Sequence, residues 1–169
     1  MKKRKFVLTF LLLFVAACLL PAFAAGSITP GAGIGKAKLG MGPNQVKNTL
    51  GKPVGKPAIT KEGLVPLDYN PTHGLRIFMD PKTKKVVKIR FDAAGPHKDR
   101  YRLSNGLGLL SIYSDIVKKM GKGSLSDKGV TSKGNKKYML DYSGRGIEFH
   151  LVQVKGKKFV YAIIVKNKR

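Results

Sequence analysis

Leu67-Asp68-Tyr69, followed by Gly74-Leu75-Arg76-Ile77, returns later in the chain as Leu140-Asp141-Tyr142 followed by Gly146-Ile147-Glu148-Phe149. The two Leu-Asp-Tyr triplets are 73 residues apart and the two glycines 72. Working outward, Val46, Leu50 and Gly51 match Ile116, Met120 and Gly121 at an offset of 70, and Lys84-Lys85-Val86-Val87 matches Lys157-Lys158-Phe159-Val160 at 73. Ordered matches at nearly one spacing mark a duplicated unit, the first thing to test in any chain. A single unit of this size buries little apolar surface. Two joined units can share a sheet and present a broad face, which suits binding more than a catalytic cleft.

The amino-terminal stretch reads as a targeting segment. Lys2-Lys3-Arg4-Lys5 is a positive start, Phe6 to Leu20 is nearly all apolar, and Ala22-Phe23-Ala24 fits a small-x-small cleavage site. The apolar run falls short of the roughly 20 residues that a permanent membrane helix needs. Residues 1–24 are therefore expected to be a secretory signal peptide, and the protein to be exported, periplasmic or extracellular. An alternative stays open: Val15-Ala16-Ala17-Cys18 resembles a bacterial lipobox, which would make the protein a lipoprotein anchored through Cys18. With ordinary cleavage the mature chain has no cysteine and no disulfide, so its stability must come from its core.

The whole chain carries a formal charge of +24, and removing the four cationic residues of the signal leaves 29 Lys and Arg against nine Asp and Glu. Such a charge bears on partners and not on fold. Outside the cytoplasm the available anions are lipid head groups, polymer phosphates and acidic proteins. The bland alternative is a solubilising coat of lysine.

The sequence divides as a flexible lead-in over 25–35, repeat unit 1 over 36–92, a linker over 93–102 and repeat unit 2 over 103–169. Gly31-Ala32-Gly33-Ile34-Gly35-Lys36 is no phosphate loop, because Ala37 stands where Ser or Thr would be needed. In unit 1, Pro43 suits a first helical turn, Val46 and Leu50 form an i, i+4 stripe, and Gly51 with Pro53 stops the helix. Strands are expected at 65–69, 75–79 and 86–91, the last alternating Val87, Ile89 and Phe91 with Lys88 and Arg90, a polar face that reads as wholly basic. Unit 2 repeats the order: a helix from Ser114-Asp115 to Gly121, a Lys-rich loop, then strands at 137–142, 146–154 and 159–165. The expected fold class is α+β, two tandem α-β-β-β units forming one antiparallel sheet with helices on one face.

Leu39-Gly40-Met41-Gly42-Pro43-Asn44-Gln45-Val46, ending Leu50-Gly51-Lys52-Pro53, resembles the opening helix of the BamE-like and beta-lactamase inhibitory protein-like superfamily. In unit 2 Leu109-Leu110-Ser111 replaces the opening turn and Gly123 the final proline, so the second match rests on order and spacing. The resemblance implies an exported protein that binds other proteins without catalysis. Tandem members grip an enzyme with a concave sheet, but this chain has neither the cysteine pair nor the acidic, aromatic-rich surface for that, and no tryptophan.

No catalytic, metal or cofactor site is expected. His73, His97 and His150 lack metal-ligand spacing, and no Gly-x-Ser-x-Gly elbow accompanies the serines. Asp68 and Asp141 read as structural carboxylates paired with nearby Lys or Arg. Strand alternation points Arg76, Phe78, Lys88 and Arg90 away from the helices. With His150 they are the candidate partner-binding residues. Basic and aromatic side chains on a sheet also suit single-stranded nucleic acid, a reading weakened by the export signal and the missing aromatic pair. The expected function is an exported, non-catalytic binding module of the cell envelope, recognising a protein partner through its sheet face and basic surface. The alternative is an envelope-associated structural protein on anionic lipid or cell-wall polymer. Oligomeric state is not fixed by these features.

Overall fold

In the computed structural model, which describes residues 26–93 and 97–168, the chain opens with three short strands, β1 (Gly26–Thr29), β2 (Gly33–Ile34) and β3 (Ala37–Lys38). Then come α1 (Pro43–Leu50), β4 (Val65–Tyr69), α2 (Asn70–His73), β5 (Leu75–Met79) and β6 (Val86–Asp92). The second half has β7 (Tyr101–Arg102), α3 (Tyr113–Met120), β8 (Ser124–Val130), β9 (Lys136–Tyr142), a 3₁₀ turn at Ser143–Arg145, β10 (Ile147–Val154) and β11 (Lys157–Lys166). The signal segment and Cys18 lie outside the described residues.

These strands form a seven-stranded sheet of order β4-β5-β6-β11-β10-β9-β8 and a four-stranded sheet of order β3-β2-β1-β7. The larger sheet is antiparallel throughout. The expected fold class is thereby corrected. The chain is mostly β, in two sheets with three short α-helices among the described residues, and is not a plain tandem of α-β-β-β units.

Two stretches cause the difference. Residues 26–38, whose composition reads largely as a flexible lead-in, build most of the smaller sheet because glycine lets backbones and rings come close. A Cβ on Gly33 would lie 2.2 Å from the Ala37 carbonyl oxygen, and one on Gly26 only 2.7 Å from the Tyr101 ring. Tyr101 itself, at the end of the expected linker, begins β7 beside Gly26. Ser124–Val130, part of the expected Lys-rich loop, is a seventh strand on the edge of β9. It has no apolar alternation, because the ladder supplies its backbone partners and both of its faces stay largely exposed.

The helices form where their apolar stripes can be covered. In α1, Pro43 occupies the first turn, the Gly42 N–H donates to Gln45 Oε1 at 2.9 Å, and Val46 and Leu50 are buried. In α3, Ile116 and Met120 are buried, with Asp115 in the first turn and Lys118 and Lys119 in the last, as the helix dipole favours. Both stripes join one core with Leu75, Ile77, Ile89, Phe91, Ile147, Phe149, Leu151, Ile163 and Val165 from one face of the larger sheet. That face also receives the smaller sheet, through Ile28, Ile34 and Ala37.

β6 and β11 join the two halves, with Ile89 opposite Val165 and Phe91 opposite Ile163. Strands β4-β5-β6 and β11-β10-β9 run outward from this ladder in matching order, which places an approximate two-fold axis between β6 and β11. Under it Asp68 corresponds to Asp141, Leu75 to Ile147 and Ile77 to Phe149.

Candidate site on the open face of the larger sheet

Because successive strand residues point to opposite faces, the registers fix what lies on the face turned away from the core. One row across that face reads Asp68, Arg76, Arg90, Ile164, Glu148, Asp141 and Ser124. The next reads Asp92, Ala162, His150, Met139 and Ser126. On the other side, Pro66, Phe78, Lys88 and Lys166 form a third row. Arg76, Phe78, Lys88, Arg90 and His150 thus share one face, with His150 two strands away from Lys88 and Arg90.

The expectation that this face is basic is corrected. Arg76 Nη2 donates to Asp68 Oδ2 at 3.1 Å. Arg90 Nη2 lies 2.7 Å from Asp92 Oδ1, and its Nε donates to the same carboxylate at 2.8 Å. Lys88 pairs with Glu62 and covers the Phe78 ring at 4.5 Å. Lys166 pairs with Glu148 and reaches to 3.8 Å from Asp141 Oδ1. Glu62, Asp68, Asp92, Asp141 and Glu148 are five of the chain's nine acidic residues. The acids are gathered here and the excess of lysine lies elsewhere.

The two-fold relation breaks at the repeated aspartates. Asp68 faces Arg76, whereas Asp141 faces Glu148, a second carboxylate. Like charges directly opposite one another destabilise a sheet. Lys166, from β11, supplies the positive charge that holds both.

Between this cluster and the loop before β4 lies a cleft of about 460 Å³, lined among others by Glu62, Leu64, Lys128, Met139, His150 and Ile164. His150 forms its wall, tilted against Tyr161 with ring centroids 6.0 Å apart. Burial pushes the imidazole pKa down to about 4, and Arg90, Lys128 and Lys88 add to the effect while Asp92 opposes it. Glu148 Oε2, 3.7 Å from His150 Nε2, would favour the imidazolium. It makes no hydrogen bond to Nε2 and is itself engaged by Lys166, so burial prevails and His150 is neutral near pH 7. For Arg90, burial also opposes the charge, but the hydrogen bonds and charge of Asp92 outweigh it and hold the guanidinium above its ordinary value.

Three buried polar atoms on or beside this cleft make no hydrogen bond within the protein: Ser126 Oγ, Asp141 Oδ1 and His150 Nε2. His150 Nε2, with Met139 and Ile164, offers a polar atom and apolar surface to a side chain entering the cleft, and Ser126 adjoins it across the ladder from Met139. Among the described residues no group of three His, Cys, Asp or Glu side chains is placed to hold a metal ion. His73 Nε2 lies 3.2 Å from the Leu50 carbonyl and His97 Nε2 3.0 Å from that of Pro71, so both tie loops down away from this face.

Glu148, Lys166, Asp92, Glu62 and Met139 are site residues that the sequence alone does not single out. Only Asp92 carries a signal there, since it continues the alternation of Lys88 and Arg90 by one step. The others depend on cross-strand register, which no local pattern reveals. Comparison with family models, with curated proteins and with solved structures found no match.

Proposed function

We propose that the protein is an exported, non-catalytic binding module of the cell envelope that recognises a protein partner through the open face of its larger sheet. The resemblance of Leu39 to Pro53 to BamE-like helices belongs to this proposal. One observation carries it: a helix-free face with a cleft, whose Arg76, Lys88, Arg90 and Lys166 are already held in ion pairs while Ser126 Oγ and His150 Nε2 make no hydrogen bond. Ordered polar groups with unmet hydrogen bonds favour a partner that completes them, since side-chain ordering has already been met in the free protein. Because the face is charge-balanced, its complement is a surface of mixed polarity and not a uniformly acidic one.

The test is to capture partners on the immobilised mature chain from an envelope extract, identify them, and measure binding of a purified partner to Met139→Arg and Ser126→Arg variants. Met139→Arg puts a long cation in the cleft and Ser126→Arg one beside it, and neither residue belongs to an ion pair. A loss of at least tenfold in affinity with unchanged melting supports the site, and unchanged affinity rejects it.

A second reading, an envelope-associated structural protein on anionic lipid or cell-wall polymer, draws support from a different region. Six lysines without carboxylate partners among the described residues lie at one end of the larger sheet.

A further inference from the structure

Two hairpin ends lie side by side at that end of the sheet. Val130 is opposite Lys136, Lys137 opposite Val152, and Val154 opposite Lys157. The turn between β8 and β9 is therefore next to the turn between β10 and β11. The ladder between β6 and β11 ends at Asp92 and Ala162; beyond it residues 110–112 line β11 at Phe159 and Val160, and the hairpin end from Lys157 continues past β6 with its neighbours.

Lys133, Lys136, Lys137, Lys155, Lys157 and Lys158 cluster on this projection. The one acid of the β8–β9 hairpin, Asp127, has its Oδ1 2.6 Å from the Gly129 N–H and is spent on the bulge in β8. Among the described residues no ion pair joins any of these six lysines to a carboxylate. On the open face of the same sheet Arg76, Lys88, Arg90 and Lys166 each have an acidic partner. Neighbouring strands are about 4.8 Å apart. Like charges on adjacent strands at that spacing fall within the Debye length of about 8–10 Å and repel each other. Lys158 rests its ammonium over the Tyr138 ring, 4.8 Å from the centroid; the others have no carboxylate among the described residues to offset the repulsion.

The same projection exposes apolar side chains. Val130 is 58% exposed and Val154 40%, each next to a lysine. A soluble polyanion would use the lysines and leave the valines in water. A bilayer uses both, phosphates at the head groups and apolar depth just below them.

We propose that this hairpin end docks the protein on an anionic lipid bilayer, with the lysines on head-group phosphates and Val130 and Val154 at the head-group boundary. The proposal deepens the second reading by naming the surface and the lipid class, and it is independent of the cleft on the open face.

The experiment is co-sedimentation of the mature chain with vesicles of phosphatidylcholine, with and without phosphatidylglycerol, at low and raised salt. A lysine at an anionic surface contributes roughly fivefold in partitioning. Lys155→Gln with Lys157→Gln should therefore weaken binding to the anionic vesicles by roughly 25-fold. Lys47→Gln with Lys52→Gln, the same charge change on and after α1, should change it less than about threefold. Val154→Ser should weaken binding further at raised salt, where the apolar contact remains after the charges are screened. Melting curves establish that each variant is folded. Equal losses from both lysine pairs would overturn the hairpin end as the docking surface while leaving the second reading in place. No sedimentation of the unmodified chain with anionic vesicles would overturn the proposal, and if cell-wall polymer is not bound either, the second reading goes with it. Polymer binding without vesicle binding would overturn the bilayer and keep the polymer.

Discussion

Tyr142 donates its hydroxyl to the carbonyl of Gly121, the residue that ends α3, at 2.6 Å. Tyr69 makes the equivalent bond to Gly51 at the end of α1, at 3.2 Å. Each bond ties the last carbonyls of a helix, which lack intrahelical partners, to the strand that carries Leu-Asp-Tyr. Both rings are buried, and burial raises both phenol pKa values, so the hydroxyls are donors at any ordinary pH. Tyr142→Phe should cost about 1 kcal/mol and Tyr69→Phe, with its longer bond, about half as much. A loss of that size lowers the melting temperature by about 3–4 °C, and the two losses should add because the sites share no partner. Calorimetry of the two variants and the double variant checks this, and a larger loss at Tyr69 would contradict it.

Lys166 holds Asp141 and Glu148 together, and the three side chains are mostly buried. Removing it with Lys166→Met leaves two carboxylates opposed across one ladder, and breaking such a buried pair costs on the order of 3 kcal/mol. Adding Glu148→Gln to that variant should recover most of the loss, since it removes the repulsion that Lys166 had balanced. Urea denaturation of the four proteins in the cycle measures the coupling. Additive losses would mean that Lys166 stabilises the sheet in some other way.

His150 makes stability depend on pH in a defined window. Its pKa in the fold is about 4, below the unfolded value of about 6.5, so the unfolded chain binds the proton more readily. The stabilisation is fully present above pH 6.5 and is lost as pH falls through the folded value, about 4. The loss is roughly 3 kcal/mol at most, since a tenfold difference in proton affinity corresponds to about 1.4 kcal/mol. His150→Gln should remove this component, so its stability should fall less steeply than the parent's between those limits. Denaturation series for both proteins across that range provide the check, and parallel profiles would refute the assignment.

What is legible in the sequence follows physical lines. Val65–Tyr69, Leu75–Met79 and the strand starting at Val86 can be read because apolar runs and alternation are local properties of a half-buried strand. The helices around Val46 and Ile116 are legible from their stripes and the glycines that end them. β8 is not, because SLSDKGV carries no apolar period and owes its conformation to the edge of β9. Nor is the smaller sheet, whose β2 and β3 are two residues each and rest on what glycine leaves vacant. Alternation shows that Arg76, Lys88 and Arg90 face one way, but not that their charge is balanced. Asp68 reaches Arg76 across a hairpin, Glu62 reaches Lys88 from a loop, and Glu148 reaches Lys166 across a ladder. Register decides those pairs, and register is set by the whole sheet.

Gly146 and Gly121 separate two reasons for needing glycine. Both have positive φ, 73° and 80°. Gly121 combines this with ψ −176°, a region almost restricted to glycine, but a Cβ there would meet nothing within 4 Å. Gly121→Ala should therefore cost only the backbone strain, about 1–3 kcal/mol. Gly146 has the milder left-handed conformation, with ψ 33°, yet its Cβ would lie 2.5 Å from Gly31 Cα and 2.6 Å from the Lys166 carbonyl oxygen. Those are backbone atoms and cannot turn aside. The Gly146 carbonyl also accepts the N–H groups of Gly31 and Lys166, both at 3.1 Å, so this residue couples the smaller sheet to β11. Gly146→Ala should exceed the cost of Gly121→Ala despite its easier backbone, by about 2 kcal/mol or more, as overpacking against a fixed neighbour commonly does. Chemical denaturation of the two variants ranks them, and a Gly146→Ala protein as stable as Gly121→Ala would show that the segment around Gly31 shifts away from β11 at little cost.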